Sequence, residues 1–166
     1  MNKLGIIVDI SHVSDAAFYQ AVDISIAPVI ASHSSLRTFT PGFERNMNDD
    51  MIKALAKNQG VIMINFGSSF VSPVARSWRD NRTQKADELA KVFGKDSQEV
   101  KDFEEKYNTE SPYPFATLEI VLDHIDHVVQ LVGIDYVGIG SDYDGVGDSL
   151  PINLKDVSDF PNLVEG

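Results

Sequence analysis

The expected fold class is α/β with parallel strands, and three features of the sequence point to it. Short, nearly continuous apolar runs rich in β-branched residues recur along the chain, helix-period apolar stripes separate them, and polar residues collect where each run ends. The first run, residues 5–10, reads as a strand covered on both faces. Ser14 then caps a helix in which Ala17, Phe18, Ala21 and Val22 share one stripe. A second strand is expected over residues 27–33, and after a loop Asn48 caps a helix with Met51, Ile52 and Leu55 on its apolar face, stopped near Gly60. Residues 61–66 are the third strand. Residues 67–115 loosen into a polar helical excursion, with helices expected near 85–93 and 98–107 and a proline-containing exit at 111–114. Thr117 opens a strongly periodic helix whose inner stripe is Leu118, Val121, Leu122, Ile125, Val128, Val129 and Val132, closed by Gly133. A fourth strand over 136–140 runs into Ser141-Asp142-Tyr143-Asp144-Gly145, and a short helix is expected to start over 156–159.

Four βα units in a single domain over residues 1–166 are therefore expected, with 67–115 as an insertion before the last strand. A closed (β/α)8 barrel needs eight strands and typically about 250 residues. The residues alone leave two arrangements open, a small open sheet or a partial barrel of the TIM type.

Composition narrows the function classes. With 14 Lys plus Arg against 25 Asp plus Glu the formal net charge is −11, and no basic run focuses a positive patch, so nucleic acid is not an expected partner. Hydrophobic residues at 43% against 23% charged are enough for a packed core, which excludes wholesale disorder. There is no cysteine, hence no disulfide framework and no thiolate ligand, and any metal must sit on His, Asp or Glu. No apolar run approaches the roughly 20 residues of a membrane helix, so no membrane contact is expected from this segment. Met1-Asn2-Lys3 leads straight into the first run with no signal-peptide layout. The compartment stays open, since any export signal would lie upstream of Met1.

In parallel α/β folds, ligands gather where the strands end at their carboxyl side. His12, His33, Asn65 and Asp142 each fall there, on four different expected strands. The two histidines stand in similar settings, Ser11-His12-Val13-Ser14 and Ser32-His33-Ser34-Ser35. Neighbouring strands lie about 5 Å apart, so these imidazoles could share one ion. The plainer alternative is two polar terminators hydrogen-bonded to their own loops, and both readings stand. Histidine and carboxylate without thiolate suit catalytic zinc, manganese or iron better than structural zinc. Asp142 and Asp144 alternate along a glycine-rich strand end, so one of them is expected to face a site as general acid and base, unless an Asx turn uses them. Arg45 lies on the same rim and could clamp a carboxylate, although pairing with Glu44 or Asp49 would also satisfy it. His124 and His127 are expected to lie together but off the inner stripe of their helix, away from the rim. Arg76, Trp78 and Arg79 belong to the excursion, as surface packing or as a lid lining.

These segments, together with Arg45-Asn46, His124-Ile125-Asp126-His127 and Asp156-Val157-Ser158-Asp159-Phe160-Pro161-Asn162-Leu163, resemble the membrane (renal) dipeptidase family. The resemblance spans nearly the whole chain apart from the excursion and matches the carboxyl-terminal half of the family. It implies a partial (β/α)8 barrel of the amidohydrolase type and a zinc dipeptidase, in which a hydroxide held between two zinc ions attacks the peptide bond of a dipeptide. His12 and His33 would bind the second zinc, Arg45 the substrate carboxylate, and Asp142 would contact substrate and pass the proton to the leaving amine. The family's His-x-Asp pair, its bridging glutamate and its carbonyl-polarising histidine have no counterpart here, so these residues alone are expected to hold at most one ion and to be inactive or nearly so. A non-catalytic complementing half-barrel, and an amidohydrolase acting on lactones or cyclic amides, are the alternatives. A homo-oligomer is left open.

Overall fold

The computed structural model describes residues 1–166. In chain order the elements are α1 (Asp15–Ile24), β1 (Ile30–Ser34), α2 (Asp49–Lys57), β2 (Val61–Ile64), α3 (Ser68–Val71), α4 (Pro73–Phe93), α5 (Gln98–Glu110), α6 (Leu118–Val132), β3 (Val137–Ile139) and α7 (Phe160–Glu165). The strands form one parallel sheet in the order β1-β2-β3, with Ile30 opposite Val61 and Ile62 opposite Val137. The α/β class therefore holds, and the sheet is open.

The caps read from the sequence do their work. Ser14 Oγ accepts from the Ala17 N–H at 3.3 Å, and Asn48 Oδ1 from the Met51 N–H at 2.9 Å, each satisfying a donor that the first helical turn leaves free. Ser72 and Ser97 cap α4 and α5 in the same way. Between sheet and helices lies a continuous core of 19 buried residues, including Phe18 of α1, Ile52 and Leu55 of α2, Ile62 and Ile64 of β2, and Val121 and Val128 of α6.

Three expectations are corrected. Residues 5–10 do not form a strand: they pair with β1 at the single bridge Asp9–Ile30, through Ile10 N–H to Ile30 O at 2.8 Å and Ile30 N–H to Val8 O at 3.0 Å. Ile6 and Ile7 remain 49% and 63% exposed, because no neighbour covers their outer side, and apolar content without a pairing partner does not extend a ladder. The sheet has three strands rather than four. Second, the excursion is helical from Pro73, twelve residues before the expected start at 85. Proline suits the first turn of a helix, and the charged residues after it hide a narrow apolar stripe. Trp78 anchors this α4 to α5 and to the exit segment, with its ring centroid 5.3 Å from Tyr107 and 5.0 Å from Tyr113. Third, His124 lies on the inner stripe of α6 rather than off it, fully buried between Val121 and Val128. Steps of three and four residues from Val121 to His124 to Val128 put all three on one face. No helix is long and apolar enough to cross a membrane.

Candidate metal and substrate site

β1 carries His33 near its end, and the bridge beside it leads into His12, which adopts a left-handed φ of 66°. That turn aims the His12 ring back over β1. The two Nε2 atoms are 2.9 Å apart and the ring centroids 4.9 Å. The imidazoles converge across 21 residues of sequence.

The His33 ring is oriented from behind. Asp9 accepts from the backbone N–H groups of Ser11 and Ser32 and from the Ser32 hydroxyl, whose oxygen also meets His33 Nδ1 at 2.7 Å. Burial of Asp9 opposes its charge, but these donors, the Ser32 hydroxyl foremost, hold it below the usual carboxylate range. Since the single Ser32 hydroxyl proton goes to Asp9, His33 Nδ1 is the donor to Ser32. Arg45 Nη2 lies 3.2 Å from His12 Nε2, and a guanidinium can only donate, so that nitrogen carries a lone pair. Burial, followed by the charges of Arg45 and His33, lowers the His12 pKa and keeps the ring neutral.

At 2.9 Å the two Nε2 atoms share one proton in a hydrogen bond, and because both face the same space a cation could take that proton's place. Imidazole nitrogens are common ligands of divalent transition metals, so these two side chains would hold one such ion together. The pair thus fits one edge of a metal site. No cluster of three or more His, Cys, Asp or Glu is present.

Arg45 is not spent on Glu44 or Asp49. Arg37 takes the Glu44 carbonyl and pairs with Asp15 at 2.7 Å, while Thr38 and His127 engage Asp49. Arg45 instead donates to Ser34 Oγ at 2.9 Å and to the His33 carbonyl at 2.6 Å, with Cζ 5.5 Å from the Phe70 ring centroid. Its Nε is buried without a partner, and burial lowers its pKa. Asp142 follows β3 with a left-handed φ of 60° and accepts from buried Asn65 Nδ2 at 2.7 Å through Oδ2. Its negative charge favours the charged forms of both Arg45 and His12. Gly145 abuts it, and a Cβ there would push the Asp142 carboxylate aside. Asp144 is exposed and points elsewhere. The structure thus brings His12, His33, Arg45, Asn65 and Asp142 together.

His124 and His127 are committed to the fold. His124 Nδ1 accepts from the Leu36 N–H at 3.1 Å and Nε2 donates to the Val71 carbonyl at 3.0 Å, while burial pushes its pKa down to about 4. Asp9 and Ser32 were not among the residues singled out above. The signal for Asp9 is an acid inside an otherwise apolar run, whereas nothing local distinguishes Ser32 from its serine neighbours.

Solved structures share this arrangement of elements. The probable dipeptidase PvdM from Pseudomonas aeruginosa superposes with a TM-score of 0.77 at 26% identity, over 98% of this chain and 44% of that one. A metallo peptidase from Rhodobacter sphaeroides, liganded with a phosphinate mimic of the dipeptide L-Ala-D-Ala, gives 0.69 at 28% identity over 99% of this chain and 36% of that one. An uncharacterised dipeptidase of Schizosaccharomyces pombe is 35% identical over 164 residues, covering 99% of this chain. The chain spans 30% of the length of that curated relative. The converging histidines, the unpaired arginine and the Asn65-held aspartate therefore lie in a sequence that matches the membrane dipeptidase family (peptidase family M19) over residues 1–166, and the chain belongs to that family.

Proposed function

We propose that these residues form part of a (β/α)8 barrel, as one domain, and supply one side of the active site of a zinc-dependent dipeptidase. The observation that carries this reading is the convergence of two Nε2 atoms to 2.9 Å beside an arginine with no acidic partner. His12 and His33 would hold zinc, which when bound lowers the pKa of water and polarises a carbonyl. Arg45 would turn its fork from His12 to the free carboxylate of a dipeptide, fixing the distance from that end to the scissile bond. Asp142, held through Oδ2 by Asn65, keeps Oδ1 free to pass a proton to the departing amine. The phosphinate dipeptide mimic on the similar Rhodobacter protein supports a dipeptide as substrate.

Two histidines are an incomplete shell, so the 166 residues alone would bind at most one ion weakly and hydrolyse dipeptides slowly or not at all. Further ligands would come from elsewhere in a longer polypeptide or from a partner. The test is calorimetric zinc titration of the wild-type chain against His33→Ala, with dipeptide hydrolysis followed in parallel. Zinc binding lost in the variant is the expected result. Equal binding in both would remove the metal assignment, and robust turnover by the 166 residues would remove the claim that they are insufficient.

A further inference from the structure

Beside the site, between α3, α4, the exit segment and the turn after β3, lies a cavity of about 310 Å³. Its walls include Ser69, Phe70, Arg79, Tyr113, Val146 and Ser149, with no carboxylate among the lining residues. Arg79 donates to Ser69 Oγ at 3.1 Å and has no acidic partner, whereas its neighbours Arg76 and Arg82 pair with Asp80 and Glu104. The Tyr113 hydroxyl is buried with no hydrogen bond of good geometry, the hydroxyls of Ser69 and Ser149 being its nearest polar neighbours. Burial raises the pKa of Tyr113, so it remains a donor. A guanidinium without an acidic partner and a buried hydroxyl without a well-aligned acceptor on one cavity suit an acceptor of two hydrogen bonds, best a carboxylate. The chain as a whole carries −11 and repels anions, so only such a local donor set would retain one.

The position of the cavity says which part of a ligand enters it. Phe70 lines it and also packs under Arg45, with 5.5 Å from its ring centroid to Cζ. Gly145 lines it and also abuts the Asp142 carboxylate. We propose that this cavity receives an acidic side chain, aspartate or glutamate, of the carboxyl-terminal residue of the dipeptide, with Arg79 and Tyr113 as its specificity-determining residues. This rests on the dipeptidase reading, in which Arg45 holds the α-carboxylate and Asp142 serves the amine of that same residue.

The test compares Ala-Glu with its neutral isostere Ala-Gln on the zinc-loaded, complete enzyme, wild type and Arg79→Gln, by kcat/KM and by equilibrium binding to the metal-free protein. Wild type is expected to favour Ala-Glu by about tenfold or more, falling to within about twofold in Arg79→Gln. Tyr113→Phe should reduce the ratio by about threefold, with thermal melting confirming that both variants fold. No preference in wild type, or a preference unchanged in Arg79→Gln, would overturn the cavity assignment while leaving the dipeptidase reading intact. If neither dipeptide is hydrolysed, the dipeptidase reading falls, and binding alone decides the cavity by the same two ratios.

Discussion

His12 and His33 illustrate how little of a site resides in its ligands alone. The orientation of His33 depends on Ser32 and Asp9, which hold Nδ1 as a donor and turn Nε2 towards His12. Replacing Ser32 with alanine should lower zinc affinity by about 10–100-fold without touching either ligand, as read by competition with a chelating dye. A second residue-scale consequence concerns His124. Its folded pKa of about 4 lies below the ordinary 6.5, so the unfolded chain binds the proton more readily. The stability this residue contributes is complete above pH 6.5 and is lost as pH falls towards about 4, amounting to roughly 3 kcal/mol. Urea unfolding at pH 7 and pH 4 should show that loss, and His124→Gln should flatten the part of the profile between them.

At the scale of elements, caps and periods were legible, and pairing was not. The Asn48 cap of α2 follows from residue type and position, and Asn48→Ala should cost about 1 kcal/mol in chemical denaturation without altering the sheet. The end of α6 at Gly133 and the start of β3 were equally local. Residues 5–10 have the composition of a buried strand yet form one bridge, because a strand is completed by its neighbours and composition does not reveal whether both are present. The early start of α4 was hidden because its apolar stripe is narrow and its partners, Tyr107 and Tyr113, lie about 30 residues away. The face of His124 is hidden in the sequence because two stripes that differ by a fraction of a turn are hard to separate in a helix so rich in apolar residues.

For the whole molecule, a ligand that binds only the folded chain should stabilise it in proportion to affinity. Zinc at about 100 times its Kd should add about 2.7 kcal/mol and raise the melting temperature of wild type, but not of the double variant His12→Ala, His33→Ala. That readout requires no turnover. By itself the sequence determined the α/β class, three of the strands and the helices α1, α2 and α6, the carboxyl-end placement of His33, Asn65 and Asp142, and the acidic balance, because hydrophobic period, capping and composition are local quantities. Only the tertiary structure decided that the two imidazoles face each other, that Arg45 turns to them across 33 residues rather than to adjacent acids, and that Arg79 and Tyr113 meet on one cavity. Those outcomes depend on which polar groups find partners across distant segments, a competition settled by packing of the whole chain rather than by any stretch of it.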